Sequence, residues 1–153
     1  MVEVIGRLES LINQILDYVN STSDDELSKK LNPQKWSKKE VLGHLIDSGI
    51  NNLQRFTEIQ FEEKPYRLTS YRQDELVQAN NYQMAETHNL LELLIALNKR
   101  IISVIKTQTE KTLSHEVIDS ENAKFDLKYL IEDYVDHFEH HTKQITVSDN
   151  LKL

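Results

Sequence analysis

Apolar residues recur along the chain at the three- and four-residue steps that are typical of amphipathic helices. The first such segment spans roughly residues 2–20 and ends before the polar run at residues 21–25. Because residues three and four apart share one face of a helix, this spacing predicts a helix with one buried side. The apolar positions that define this side are Ile5, Leu8, Ile12, Ile15 and Val19.

The start of a second helix is marked by side chains that can satisfy its first backbone amides. Ser37 and Glu40 have the spacing of a capping box, in which each side chain accepts a hydrogen bond from the other residue's backbone N–H. Trp36 and Val41 flank this box at the positions of a hydrophobic staple. The pattern predicts a helix over about residues 38–61, with Trp36 packed on Val41 at its entry.

Two further helices are predicted in the second half of the chain. The third runs over about residues 74–107, and the fourth begins near Asp126, a favourable N-cap, and continues to about residue 146. Residues 62–73 and 108–125 are predicted connections, and no segment is predicted to be a strand. Four amphipathic helices favour an all-α four-helix bundle with long connections between helices, and the chain length favours a single domain over residues 1–153.

Composition narrows the functions that such a bundle could have. The 153 residues include no cysteine, which excludes disulfides, thiolate metal ligands and a cysteine nucleophile. A formal net charge of -7 argues against nucleic acid as a partner, because phosphate backbones repel an acidic chain. With only three glycines, no phosphate-binding loop of the GxxxxGK or GxGxxG kind can be written. We expect no membrane association and a cytoplasmic location, since neither a signal-like start nor an apolar run of ~20 residues occurs.

Histidines supply the candidate chemistry of the predicted helices. His137 and His141 are four residues apart and therefore lie about 40° apart on a helical face that also carries Tyr134. His140 lies about 60° further out than His137 and is expected to face solvent or a neighbour. An i, i+4 pair of imidazoles can bind one metal ion, and a third imidazole from a facing helix, such as His44, gives a three-nitrogen site with open positions. Spacing alone leaves the alternative that these are surface or core histidines.

A ribbon of polar residues accompanies His44 along the second predicted helix. Ser48, Asn51 and Arg55 are its axial neighbours at the border of the apolar stripe, where a pocket inside a bundle would need polar groups. Together with Tyr134 they are the candidates for orienting a substrate, Arg55 and Tyr134 as catalytic residues and Ser48 and Asn51 as cofactor-binding residues. The alternatives are that Tyr134 is a core residue and that Arg55 is a surface or ion-pairing residue.

Two segments resemble the metal motifs of the DinB-like superfamily. Residues 36–48, WSKKEVLGHLIDS, are similar to the opening of its second helix, and NNLQRF over residues 51–56 resembles the continuation in its YfiT-type branch. Residues 134–141, YVDHFEHH, followed by Gln144 and Ile145, resemble the second metal motif of that branch. The two motifs lie about 90 residues apart and are more specific together than alone. The resemblance extends over essentially the whole chain.

The resemblance implies a four-helix bundle in which His44, His137 and His141 bind zinc, nickel or a similar divalent ion. Members are often labelled metal-dependent hydrolases, and several related proteins are transferases that use the metal to activate a low-molecular-weight thiol such as bacillithiol. The resemblance also implies a small-molecule substrate and a homodimer.

Two hypotheses about function follow from the residues and the resemblance. The first is an enzyme, either a hydrolase or a thiol-dependent S-transferase. The second is a metal-stabilised, stress-related binding protein without catalytic turnover. An open coordination position beside a pocket would favour the enzyme, and a fourth protein ligand would favour the binding protein.

Overall fold

The computed structural model describes residues 1–147, and this part of the chain is mainly helical. In chain order the helices are α1 (Val2–Asn20), α2 (Asp24–Ser28), α3 (Lys38–Glu58), α4 (Gln73–Ala79), α5 (Thr87–Lys106), α6 (Glu110–Leu113) and α7 (Leu127–Thr146), with a 3₁₀ turn at Tyr82–Met84 between α4 and α5. Three short strands accompany them: β1 (Tyr66–Arg67), β2 (Glu116–Ile118) and β3 (Lys124–Asp126).

The four long helices form the predicted four-helix bundle, which is confirmed. Helix α3 packs mainly against α5 and α7, and α1 packs mainly against α7 while also contacting α5. Each contributes leucine, isoleucine or phenylalanine side chains that are fully removed from solvent, and each such side chain contributes about 1.5–3 kcal/mol to stability. These side chains include Leu8, Ile15, Leu42, Leu45, Leu94, Ile101, Ile131 and Phe138.

Local side chains define the starts of the two helices that carry the candidate histidines. Ser37 Oγ accepts a hydrogen bond from the Glu40 amide at 3.1 Å, and the Glu40 carboxylate accepts one from the Ser37 amide at 2.8 Å. Asp126 caps α7 by accepting from the Tyr129 amide at 2.8 Å. Helix α3 ends three residues earlier than predicted, because the amides of Gln60 and Phe61 bond to carbonyls three residues back and tighten the chain after Glu58.

The third predicted helix is not continuous, and this prediction was wrong at residues 80–86. Asn81 adopts the left-handed conformation, with φ of 51° and ψ of 44°, which asparagine tolerates better than most residues. The break carries Tyr82 onto α3, where a Cβ on Gly43 would lie 2.1 Å from the Tyr82 ring. The chain therefore leaves the helical path at this point, and the Tyr82 ring packs on α3 instead.

The prediction that no residue forms a strand was wrong for three short segments. Strand β1 pairs parallel to β2, and β2 pairs antiparallel to β3. In the turn between β2 and β3, the Asp119 carboxylate accepts hydrogen bonds from the amides of Glu121 and Ala123. Strands of two or three residues are too short to produce an alternating pattern. The connection that follows β1 lies beside the C-terminal half of α3, where Thr69 accepts a hydrogen bond from Arg55.

Within residues 1–147, no helix combines the length and the apolar character that crossing a bilayer requires. The single domain over residues 1–153 stays a prediction, and its last six residues lie outside the described range.

Candidate metal centre

Three histidines from two packed helices converge inside the bundle. His44 on α3 and His137 on α7 place their Nε2 atoms 3.1 Å apart. One ring nitrogen from each of His44, His137 and His141 lies within 4.8 Å of the other two. The i, i+4 spacing on α7 brings the rings of His137 and His141 to a centroid distance of 4.5 Å. The His44 ring on α3 lies 5.0 Å from that of His137 and 4.6 Å from that of His141.

The separation of the His44 and His137 Nε2 atoms fits a shared metal ion. With zinc–nitrogen bonds of 2.0–2.1 Å, two ligand nitrogens lie about 2.9 Å apart at a right angle and about 3.3 Å apart at a tetrahedral angle. The observed 3.1 Å between His44 and His137 falls between these values. Within residues 1–147, the Nδ1 atoms of both rings are buried and have no hydrogen-bond partner. Their Nε2 atoms contact each other at a distance that also suits an N–H···N hydrogen bond between two neutral rings.

Burial keeps the three imidazoles neutral. It lowers the pKa of His44 to about 3, helped by the charges that His141 and His137 would carry. Burial, then His141 and His140, lower the pKa of His137 to about 4. Burial also lowers the pKa of His141, against a smaller raising effect of Gln144. Neutral rings present a free nitrogen lone pair, which is the form that binds a metal.

Of the residues near the cluster, one is placed to orient a histidine ring, and none adds a fourth ligand within the described residues. His141 Nδ1 lies 2.9 Å from Gln144 Oε1, so an N–H donated there leaves Nε2 of His141 unprotonated. His140 is exposed and lies outside the cluster, as the helical spacing predicted. No fourth histidine, cysteine or carboxylate joins the cluster within the described part of the chain. An ion held there would retain open coordination positions.

A cavity of about 260 Å³ adjoins the cluster and includes His137 in its wall. Helix α3 contributes Ser48, Asn52 and Arg55 to this cavity, and α7 contributes Leu130, Asp133 and Tyr134. Ser70 and Tyr71, between β1 and α4, and Gln73 at the start of α4 complete its lining. The cluster therefore lies at the edge of a space that could hold a small molecule.

Three of the four predicted substrate residues line this cavity. Ser48 is almost fully buried, and Arg55 is half-buried with its guanidinium donating to the Thr69 carbonyl at 2.5 Å. Tyr134 is 2% exposed and donates its hydroxyl hydrogen to Asn98 Oδ1 at 2.7 Å. Burial raises the pKa of Tyr134, so its hydroxyl stays protonated. Tyr134 is therefore a core residue that also lines the cavity. Catalytic roles for Arg55 and Tyr134 stay predictions.

Asn51 is placed differently from the other three. Its amide donates to the Asp47 carbonyl at 2.8 Å, and the neighbouring Asn52 lines the cavity instead. A cofactor-binding role for Asn51 stays a prediction without a contact to support it. Asp133 and Asn52 line the cavity but were not predicted from the sequence. Asp133 lies four residues before His137, so the i, i+4 spacing could have indicated that it shares the face of His137.

Trp36 contacts the cluster directly, which its position before the capping box did not predict. Its indole packs against the His44 imidazole with ring centroids 4.9 Å apart. The residue that precedes α3 therefore packs directly on a candidate metal ligand.

The sequence is similar to one protein family and to several named bacterial proteins. Residues 7–145 match the sequence profile of the DinB superfamily. A protein of Oceanobacillus iheyensis named "Putative metal-dependent hydrolase" is 25% identical over 146 residues, covering 95% of this chain and 83% of the relative. A protein of the same name from Bacillus cereus is 24% identical over 146 residues, covering 93% of this chain and 81% of the relative.

Several solved structures share the fold. YfiT from Bacillus subtilis, described as a probable metal-dependent hydrolase with an unusual four-helix bundle topology, superposes with a TM-score of 0.84 at 24% identity, over 94% of this chain and 82% of YfiT. A mycothiol-dependent maleylpyruvate isomerase superposes with a TM-score of 0.74 at 12% identity, over 94% of this chain and 59% of the isomerase. At these identities the likeness shows a common fold.

Proposed function

The chain belongs to the DinB superfamily, and from that premise we propose that it is a divalent-metal-dependent enzyme acting on a small molecule. The observation that carries this proposal is the convergence of three neutral imidazoles, from His44, His137 and His141, beside a cavity whose wall includes His137. Three protein ligands with open positions beside a pocket are typical of catalytic rather than structural metal sites.

In this proposal the histidines bind the metal ion, and the other cavity residues bind and orient the substrate. When bound, a divalent ion supplies a Lewis acid that lowers the pKa of a coordinated water or thiol. Neutral histidines leave the whole charge of such an ion uncompensated. Tyr134 holds its proton and is itself oriented by Asn98, and Leu130 adds an apolar side chain to the cavity wall.

Two reactions are compatible with this site, and different relatives support each. Relatives named as metal-dependent hydrolases support hydrolysis. The fold shared with a mycothiol-dependent isomerase supports a low-molecular-weight-thiol-dependent S-transferase, which we favour. In that form Ser48 is the proposed cofactor-binding residue, and Asn51 would have to give up its bond to the Asp47 carbonyl to take part.

The remaining features of the proposal rest on the family resemblance. We propose zinc or nickel as the metal and bacillithiol or a similar small thiol as the cofactor. We also propose a homodimer and a cytoplasmic location.

A rate measurement on metal-loaded protein tests the proposed function. The zinc- or nickel-loaded protein is assayed with a small thiol plus an electrophile such as monochlorobimane, and separately with activated esters without thiol. We expect metal-dependent turnover above the uncatalysed rate, lost in His137→Ala and retained in His140→Ala. If metal raises the melting temperature but neither reaction exceeds the metal-free control, the protein is a metal-stabilised binding protein and the enzyme proposal is wrong.

A further inference from the structure

One cation lines the cavity beside the histidines, and within residues 1–147 it has no acidic partner. The guanidinium of Arg55 donates to the Thr69 carbonyl and lies 5.4 Å from the centroid of the Tyr71 ring. No carboxylate oxygen of the described residues lies within 4.0 Å of it. A guanidinium carries five N–H donors and keeps its charge in proteins, so most of its donors remain available.

The surroundings of Arg55 hold it in a fixed orientation. Thr69 and Tyr71 belong to the connection that follows β1, which pairs with β2. Burial lowers the pKa of Arg55, which reflects the cost of keeping a charge there without a counter-ion. A bound anion would offset this cost, and a side chain already held in place loses little freedom on binding.

Arg55 also lies where two cavities meet. The cavity of about 260 Å³ that includes His137 shares Arg55, Leu130 and Asp133 with a groove of about 570 Å³. This groove is also lined by the rings of Phe125 and Tyr129, which are absent from the lining of the first cavity and whose centroids are 5.4 Å apart. A molecule that extends from the histidines to these rings would therefore pass Arg55.

We propose that the substrate is an organic carboxylate whose anionic group pairs with Arg55, whose reactive part lies beside His137 and whose apolar part lies on Phe125 and Tyr129. The location of the reactive part rests on the proposed function, whereas the pairing with Arg55 does not. A planar guanidinium matches a carboxylate with two parallel hydrogen bonds. Because Asp133 adds a carboxylate to the same wall, a singly charged group is favoured over a dianion.

Binding of matched probes tests the pairing without an assay of activity. Dissociation constants are measured by NMR titration for 3-phenylpropionate, for its neutral isostere 3-phenylpropanamide and for the dianion phenyl phosphate. In the wild type we expect the carboxylate to bind in the millimolar range or better, and about tenfold or more tightly than the amide, because hydrogen bonds to a charged partner are the strong ones. We expect phenyl phosphate to bind more weakly than 3-phenylpropionate.

Variants then assign the preference to one residue. Arg55→Gln should remove the preference for carboxylate over amide. Arg100→Gln is the matched control, because it makes the same change in net charge at an exposed position on α5 outside both cavities. Asp133→Asn should tighten binding of both anions. In the wild type the Nε–Hε signal of Arg55 should shift with carboxylate and stay in place with amide, which tests the pairing even if Arg55→Gln does not fold.

Metal-loaded and metal-free protein separate this inference from the proposed function. We expect the carboxylate preference to persist after metal removal. If it disappears with the metal and survives Arg55→Gln, the carboxylate binds the metal, and the inference is wrong while the metal site stands. If a protein that takes up no metal still shows the Arg55-dependent preference, the inference stands and the proposed function fails. Absence of carboxylate binding, or tighter binding of phenyl phosphate, overturns the carboxylate assignment.

Discussion

At the residue scale, the contact between Trp36 and His44 offers a direct optical signal of the site. Trp36 is the only tryptophan in the sequence, and its ring centroid lies 4.9 Å from that of the His44 imidazole. A paramagnetic ion such as Ni²⁺ bound by His44 should therefore quench tryptophan fluorescence. We expect saturable quenching in the wild type and in His140→Ala, and none in His44→Ala. Quenching that is unchanged in His44→Ala would show that the ion binds elsewhere.

Single residues of the site differ in how far the sequence could predict them. The shared face of His137 and His141 follows from helical geometry alone, but only the family resemblance linked them to His44. The choice between Asn51 and Asn52 depends on how α3 rotates against its neighbours, which a helical wheel does not determine. The contact of Arg55 with Thr69 depends on the path of a non-periodic connection, so the sequence contains no comparable signal for it.

At the scale of elements, the close approach of α3 to the 3₁₀ turn depends on one glycine. A Cβ on Gly43 would lie 2.1 Å from the Tyr82 ring, whose hydroxyl is held by a hydrogen bond of 2.7 Å to Asp47. Gly43→Ala should therefore lower the free energy of unfolding by about 1–3 kcal/mol through overpacking. Urea denaturation of the purified variant measures this change.

A second glycine provides the control for this substitution. Gly6 lies on the exposed side of α1, and a Cβ there would have no atom within 4 Å. Gly6→Ala should raise the free energy of unfolding by about 0.5–1 kcal/mol, because alanine favours the helix. Equal effects of the two substitutions would contradict the packing of Tyr82 on α3.

The elements that could be predicted are those with a periodic apolar face or a capping residue in the sequence. Helix α1 has the predicted bounds, and α7 begins directly after the predicted cap Asp126. The break after α4 was not predictable, because it depends on Tyr82 finding a place on Gly43, a contact between distant parts of the chain. Strands β1 and β2 were not predictable because their pairing joins residues about 50 positions apart through segments too short to show alternation.

At the scale of the whole molecule, the buried histidines make stability depend on pH. In the unfolded chain His44 binds a proton below its ordinary pKa of 6.5, whereas in the folded protein it does so only below about 3. The unfolded state therefore binds more protons in this window, and stability falls as pH falls from 6.5 towards 3. His44 alone contributes a slope of up to about 1.4 kcal/mol per pH unit.

Unfolding of metal-free protein in urea at pH 7 and pH 5 measures this slope. His44→Gln should lose less stability between these pH values than the wild type does. Asp47, whose pKa burial raises, acts with the opposite sign and is present in both proteins, so its effect cancels in the comparison. Identical pH dependence of the two proteins would mean that His44 is not kept neutral by the fold.

The most direct measurement of the central claim is the metal content of the purified protein and four single variants. Wild type, His44→Ala, His137→Ala, His141→Ala and His140→Ala are exposed equally to Zn²⁺ or Ni²⁺, dialysed and analysed by elemental mass spectrometry. We expect one ion per chain in the wild type and in His140→Ala, and loss of most of the metal in the other three, because two imidazoles bind far more weakly than three. A metal-free wild type, or a His137→Ala variant that keeps its ion while His140→Ala loses it, would contradict the three-histidine site.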